Sequence, residues 1–427
     1  LPSSRALAAD LGVARGTVSA AYSQLAAEGY LIARQGTASR VAWVPPAAER
    51  RPAPPARPRP RWDLRPGQPD SASFPRAAWS RAARQVYREF PAEALGYGDP
   101  WGRPELREAL AEYLGRARGV LAGDAPLLIC VGFTQALTVL CLALRAAGAR
   151  RLGMEDPCSP RYREVVRACG LEVVALRCDE HGLRTGLLDA ARVDAVLVTP
   201  AHQHPLGVTM PVARRCALAD WARRTGGLII EDDYDGEFRF DRHPVGAVQQ
   251  LDPARVTYVG SASKTLAPGL RLGWLTVPPA IEAGVLEVRD RLDRGSAVFG
   301  QLILARLIAT GELDRHVRRM RTGYRRRRDQ LLEVTADRFP EASVSGIAAG
   351  LHAVLSWPPR WPGTGEERIV ALAARHGLAL RSLHRYWHEP DGKPAGIVVG
   401  YGSPPAHAYQ ATLGAFADFL TDLRAGR

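Results

Sequence analysis

The chain has 427 residues, 46% hydrophobic and 24% charged, with a formal net charge of +13. That length exceeds one typical core and predicts at least two domains of globular composition. No apolar run reaches membrane-spanning length and nothing resembles a secretory signal, and a cytoplasmic chain is expected.

Cys130, Cys141, Cys158, Cys169, Cys178 and Cys216 form no C-x-x-C pair, and no histidine cluster completes a zinc pattern. They are expected as reduced, mostly buried thiols, with Cys158 a candidate reactive one beside a possible pocket. Every basic residue except Lys264 and Lys393 is arginine, so a catalytic lysine has two possible positions. The positive balance suits nucleic acid or another anionic partner.

Residues 1–43 predict two short helices and a hairpin. Leu7, Ala8 and Leu11 share one face of the first helix, with Ser3 or Ser4 as N-cap and Gly12 as stop. The second helix runs from about Arg15 to Glu28, with Val18, Tyr22 and Leu25 on one face and Gly29 ending it. Strands at 30–33 and 39–43 flank a turn at Arg34-Gln35-Gly36-Thr37. Residues 44–62 hold seven prolines and no apolar periodicity, a semi-rigid basic linker.

From residue 63, helical patterns alternate with short apolar runs at 127–131, 151–154, 172–176, 195–199, 228–231 and 256–260. That rhythm predicts a mostly parallel sheet wrapped by helices, over about 63–311. A long basic helix at about 312–339 leads to a smaller α+β part, about 341–427. The arginines at 318–328 read as its solvated face, with contact to DNA phosphates as the alternative.

A helix, a turn, a second helix and a hairpin make a winged helix-turn-helix. Arg15 and Thr17 open the second helix, where side chains reach base edges or phosphates in a major groove. Arg5 starts the preceding helix, in place for a phosphate, and Arg34 and Gly36 at the wing tip suit close approach to the DNA backbone or minor groove. The run L-P-S-S-R-A-L-A-A-D-L-G-V-A-R-G-T-V-S-A-A-Y-S-Q-L-A-A-E-G-Y-L resembles the GntR-type winged helix along its whole length. The resemblance places one more helix before Leu1, so the domain is expected to be truncated here.

Five segments carry the second part: Y-G-D-P-W-G-R-P-E-L-R at 97–107, V-G-F-T-Q-A-L at 131–137, T-P-A-H-Q-H-P-L-G at 199–207, L-I-I-E-D-D-Y-D at 228–235 and S-A-S-K-T-L-A-P-G-L-R-L-G at 261–273. Together they resemble aminotransferases of fold type I, and the whole chain resembles MocR/GabR-type regulators, which join a GntR-type winged helix to an aminotransferase-like domain. The resemblance implies pyridoxal 5'-phosphate as cofactor, with Lys264 as Schiff-base residue and Arg271 as phosphate arginine. Ser261 and Ser263 supply hydroxyl donors around the phosphate, and Gly132, Phe133 and Thr134 open a helix whose amides face it. Asp232 pairs with the pyridinium, with Asp233 the alternative by one register step, and Tyr234 bonds the ring 3'-oxygen. Tyr97 is implied to reach a phosphate across a homodimer interface. His202, Gln203 and His204 stand beside the ring or in structural roles, His204 being the cofactor candidate. A metal reading of the acidic run finds no histidine partners nearby in sequence.

Two departures bear on function. Ser159 replaces the aromatic that commonly stacks on the coenzyme, while Arg161 is retained and can meet an effector carboxylate; these two are the candidate effector contacts. Ser403, in V-V-G-Y-G-S-P-P, stands where aminotransferases place a carboxylate-binding arginine. The expected function is a transcription regulator on operator DNA that senses an amine, an amino acid or the coenzyme itself through an aldimine on Lys264. A weak transaminase half-reaction fits that reading; an active aminotransferase with a vestigial DNA-binding arm is the alternative.

Overall fold

In the computed structural model, residues 1–32, 38–42, 60–123, 125–240, 245–357 and 365–426 are described. The chain divides into two units, Leu1–Arg59 and Pro60–Arg427.

In the first unit the Ser3 hydroxyl accepts the Ala6 amide at 3.2 Å and so caps α1 (Ser4–Leu11). Gly12 ends that helix at φ +63°, a conformation glycine adopts without strain. Then come α2 (Arg15–Ala27), β1 (Leu31–Ile32) and β2 (Arg40–Val41), the strands antiparallel with Leu31 opposite Val41. Ala8, Val18 and Leu31 are buried. The face expected from Val18, Tyr22 and Leu25 is only partly covered: Tyr22 is half-buried and Leu25 exposed, because no other described element of this unit packs over it. The wing tip, with Arg34 and Gly36, lies outside the described residues.

The second unit opens with β3 (Trp62–Asp63), α3 (Arg76–Glu89) and α4 (Pro104–Arg118). The alternating stretch follows: β4 (Leu127–Cys130), α5 (Phe133–Ala146), β5 (Arg151–Asp156), α6 (Pro160–Ala168), β6 (Glu172–Asp179), β7 (Gly182–Leu183), α7 (Leu188–Ala191), β8 (Ala195–Val198), α8 (Val212–Thr225), β9 (Leu228–Asp232), β10 (Val256–Ser261), α9 (Ala262–Thr265) and β11 (Gly273–Thr276). Helices α10 (Glu282–Leu292), α11 (Val298–Ala309) and α12 (Glu312–Arg338) lead to β12 (Ser343–Ser345), β13 (His352–Trp357), α13 (Glu366–Arg375), β14 (Leu378–Ala379), β15 (Arg381–Ser382), β16 (Ala395–Gly400) and α14 (Tyr409–Arg424).

The large sheet has the order β4-β11-β10-β9-β8-β5-β6-β7. From β10 to β6 the pairs are parallel, while β11 runs antiparallel to both neighbours. Its inner strands are continuous apolar runs because helices cover both faces. On one face Leu137 and Leu140 pack against Leu152, Ile230 and Val259. On the other, Leu218 and Trp221 pack against Val196 and Ile229. Each such side chain contributes about 1.5–3 kcal/mol.

The smaller sheet has the order β12-β13-β16-β15. Its core joins Leu110, Tyr324, Phe416 and Tyr401. β3 pairs in parallel with β14, Trp62 opposite Leu378, so Trp62 belongs to this unit rather than to the proline-rich linker. The basic stretch of α12 is not wholly solvated: Arg327 is buried and pairs with Asp70 at 2.8 Å.

The parallel strands end side by side. Gly132 follows β4, Ser159 follows β5, His204 follows β8, Tyr234 follows β9, Ser261 ends β10, and Lys264 lies in α9 directly after it. Open α/β sheets bind ligands at that carboxyl edge.

Candidate functional site

A cavity of about 320 Å³ at this edge is lined by Lys264, Asp232, Tyr234, His204, Ser159, Arg161 and Tyr162, and by Gly67, Arg381, Arg385 and Tyr386. Lys264 Nζ donates to the Gly67 carbonyl at 2.5 Å. Asp232 is 3% exposed and no hydrogen bond to its carboxylate occurs among the described residues. The neighbouring register is occupied otherwise: Asp233 takes a bidentate ion pair from Arg118 at 2.6 and 3.0 Å and the Tyr258 hydroxyl at 2.8 Å. Strand alternation therefore sends Asp232 to the cavity and Asp233 to the opposite face.

Burial sets the electrostatics. It pushes Asp232 well above the ordinary carboxylate range, reinforced by Asp233, with Lys264 opposing. It pushes the Lys264 amine below its ordinary value, with Asp232 and Asp235 opposing. His204 is held well below its usual value by burial and by His352 and His202, and its Nδ1 is buried without a partner. His202 Nδ1 faces Asp235 Oδ2 at 3.0 Å and the Tyr234 hydroxyl at 2.9 Å. A carboxylate only accepts, so Nδ1 carries the proton and the Tyr234 O–H remains free to donate elsewhere.

At the next strand ends, Gly132 (φ +114°) caps α5, whose first amides have no partner within the helix. A methyl group on Gly132 would lie 3.4 Å from the Arg271 guanidinium, so that guanidinium faces the start of α5, where Phe133 and Thr134 stand. The Ser261 hydroxyl accepts the Ser263 amide at 3.4 Å and caps α9. Amides, hydroxyls and one guanidinium at these strand ends have the chemistry that suits an anion.

Other expectations fall elsewhere. Tyr97 does not join Lys264 within the chain: it is 90% exposed, with the Arg294 guanidinium 5.6 Å from its ring. Gln203 is structural, donating to Glu155 and Pro157 and accepting from Leu206. The Ser403 hydroxyl donates to the Asp63 carbonyl. Burial pushes the Cys158 thiol up to about 12, which removes it as a reactive thiol. The acidic run does have histidine neighbours, brought from distant strands: His202, Asp235 and His352 cluster. One ring nitrogen of each histidine is engaged, His202 Nδ1 with Asp235 at 3.0 Å and His352 Nε2 with the Pro205 carbonyl at 2.9 Å.

Sequence reading missed Tyr162, Gly67, Arg381, Arg385 and Tyr386. Only Tyr162 carried a signal, one turn past Ser159. Its ring packs on Phe133 at 4.5 Å and brings an aromatic to the wall that Ser159 leaves bare.

In the first unit, Arg5, Arg15 and Thr17 are exposed at the starts of α1 and α2. No described helix is long and apolar enough to cross a membrane.

Residues 1–41 match the gntR family of bacterial regulatory proteins, and residues 63–381 match aminotransferase class I and II. The chain is 32% identical to the pyridoxine biosynthesis transcriptional regulator PdxR of Corynebacterium glutamicum, over 99% of this chain and 91% of that one. It is 32% identical to the probable rhizopine catabolism regulatory protein MocR of Rhizobium meliloti, over 94% and 85%. A multiple substrate aminotransferase from Thermococcus profundus superposes with TM-score 0.76 at 24% identity, covering 85% of this chain and 92% of that one. Fold and site define a fold-type-I aminotransferase-like domain carried with a DNA-binding helix-turn-helix. The chain belongs to the MocR-type transcription regulators of the gntR family. Its cofactor is pyridoxal 5'-phosphate, and the residues fit that group: a buried carboxylate awaiting a cationic partner shares a cavity with the lysine, and the groups suited to an anion lie at the adjoining strand ends.

Proposed function

We propose that this protein is a homodimeric cytoplasmic regulator that binds an operator through Arg5, Arg15 and Thr17 and senses an amine or amino acid through the coenzyme on Lys264. The observation that supports this is the pairing of Lys264 with the unpartnered carboxylate of Asp232 in one cavity. Lys264 is the covalent attachment point, its amine favoured in the neutral, nucleophilic form by burial. Asp232 neutralises the ring nitrogen, Tyr234 donates to the ring 3'-oxygen and His204 stands beside it. Gly132, Phe133, Thr134, Ser261, Ser263 and Arg271 receive the phosphate, and Tyr97 reaches that of the partner subunit. Ser159 and Arg161 face the effector. Bound coenzyme supplies an aldehyde carbon that exchanges one primary amine for another.

The test adds candidate amines to the coenzyme-loaded protein while visible absorbance and operator affinity are followed together. The two signals move at the same concentration; absorbance change without change in DNA affinity, or steady amino transfer to a 2-oxo acid at enzyme-like turnover, sinks the reading. A second reading, in which the coenzyme itself is the signal, draws on the likeness to PdxR. It predicts that coenzyme alone, added to the apoprotein, sets operator affinity.

A further inference from the structure

We infer that Arg381 and Arg385 form an anion-receiving subsite in the cofactor cavity, so that the effector is an amine carrying a carboxylate rather than a simple amine. This rests on the reading of Lys264 as the coenzyme's attachment point. Arg381 comes from β15 and Arg385 from the turn that follows it, and both line the cavity that holds Lys264 and Asp232. Neither guanidinium has an ion pair or hydrogen bond among the described residues, and neither has Arg161 in the same wall. Arginines that serve the fold look different: Arg118, Arg214 and Arg327 are each matched to a carboxylate. Lys264 apart, the cavity lining thus holds three guanidinium groups against the one carboxylate of Asp232. The coenzyme's phosphate is provided for separately, by α5 and Arg271.

The backbone beneath these two arginines is fixed. The Ser382 hydroxyl accepts the His384 amide at 3.2 Å. The buried Arg163 guanidinium donates to the carbonyls of Tyr386 and Arg385 at 2.9 and 3.0 Å. The Cys158 amide donates to the same Tyr386 carbonyl at 2.9 Å, and the His388 amide to Asp156 at 2.9 Å. The turn is therefore clamped to the end of β5, beside Ser159 and Arg161. Ser403, where a carboxylate-binding arginine was expected, is tied to Asp63. Arg381 stands opposite Val398 across the β15–β16 ladder, in the same sheet region. Arg381 is half-buried and Arg385 exposed at the cavity rim, so a ligand anion relieves Arg381 most, and a guanidinium takes a carboxylate bidentately.

The test uses the full chain loaded with pyridoxal 5'-phosphate, its visible absorbance titrated with L-alanine, β-alanine and L-glutamate against ethylamine, an amine with no carboxylate. At least one acid is expected to act at a concentration about tenfold lower than ethylamine. Arg381→Gln and Arg385→Gln each raise that acid's apparent Kd about tenfold and leave ethylamine unchanged, the loaded absorbance showing that each variant folds. In the wild type, succinate competes with the acid and not with ethylamine. Equal action of acids and ethylamine, unaltered variants, parallel loss of both ligands, or no competition by succinate overturns the subsite. If no amine, acid or ethylamine, changes the absorbance, or the coenzyme's absorbance survives Lys264→Ala, the reading of Lys264 itself falls, whereas ethylamine silent beside an active acid supports the subsite.

Discussion

Lys264 and Asp232 are complementary because burial disfavours charge on both, and each is the other's nearest relief. In the proposed function a cationic ring nitrogen gives Asp232 a permanent partner. Asp232→Asn is therefore expected to keep the fold and weaken coenzyme binding by about 2–5 kcal/mol, read by equilibrium dialysis; unchanged affinity would remove Asp232 from the ring. His352 carries a pH prediction. Burial, with His202 beside it, lowers its imidazole to about 4, against roughly 6.5 in the unfolded chain. Between those values the unfolded chain holds a proton that the fold refuses. Its contribution to stability is complete above the unfolded value and is lost as pH falls toward the folded one. His352→Gln removes that loss, while its amide can still donate to Pro205. The variant should gain on the wild type by roughly 3 kcal/mol between pH 7 and pH 4 in urea unfolding; a constant difference across that range contradicts the assignment.

At the scale of elements, β9 shows what a sequence can and cannot say. An apolar run ending in acids marks a strand whose tip faces a site, but whether Asp232 or Asp233 turns inward is a matter of one register step. Arg118 decides it by occupying Asp233 from the far face, and Arg118 is distant in sequence. Asp233→Asn is accordingly a stability variant: breaking this buried pair should cost about 3–5 kcal/mol in denaturant unfolding, with coenzyme absorbance intact at low temperature. Lost absorbance at full stability would reverse the two roles. The strand at Gly273–Thr276 escaped the list of apolar runs. It is short, and Gly273 packs so closely that a methyl group there would meet Gly132 Cα at 2.7 Å, a constraint of packing that no periodicity encodes. Arg381 and Arg385 were equally silent in sequence. Arginine is the common basic residue of this chain, and only their place in the cavity wall, with Arg385 on the turn that Arg163 holds, sets these two apart. The strand-to-helix turn at Gly132, by contrast, was legible, because a helix start that offers its amides to an anion demands small residues at fixed places.

At the scale of the molecule, the proposed function requires the two units to be linked through energy. If an effector moves the equilibrium between two conformations, it does so only by its different affinity for them. Linkage makes the effect reciprocal: an amine that changes operator affinity tenfold must bind tenfold differently to the DNA-bound protein. The DNA side is read first. Each phosphate contact released lowers the slope of log K against log salt by about 0.9, so Arg5→Ala and Arg15→Ala should each flatten it by about one unit where they meet phosphate. A base contact would instead weaken the operator selectively, leaving non-specific DNA unaffected. With that slope known, the amine is titrated by absorbance in the presence and absence of saturating operator at one salt concentration. The shift in its apparent Kd must equal the shift in operator Kd caused by saturating amine. Equality establishes one coupled equilibrium between the cavity and the helix-turn-helix. Shifts that differ beyond error, or an amine Kd indifferent to DNA while operator affinity changes, mean that the amine acts on DNA binding by some route other than the site on Lys264.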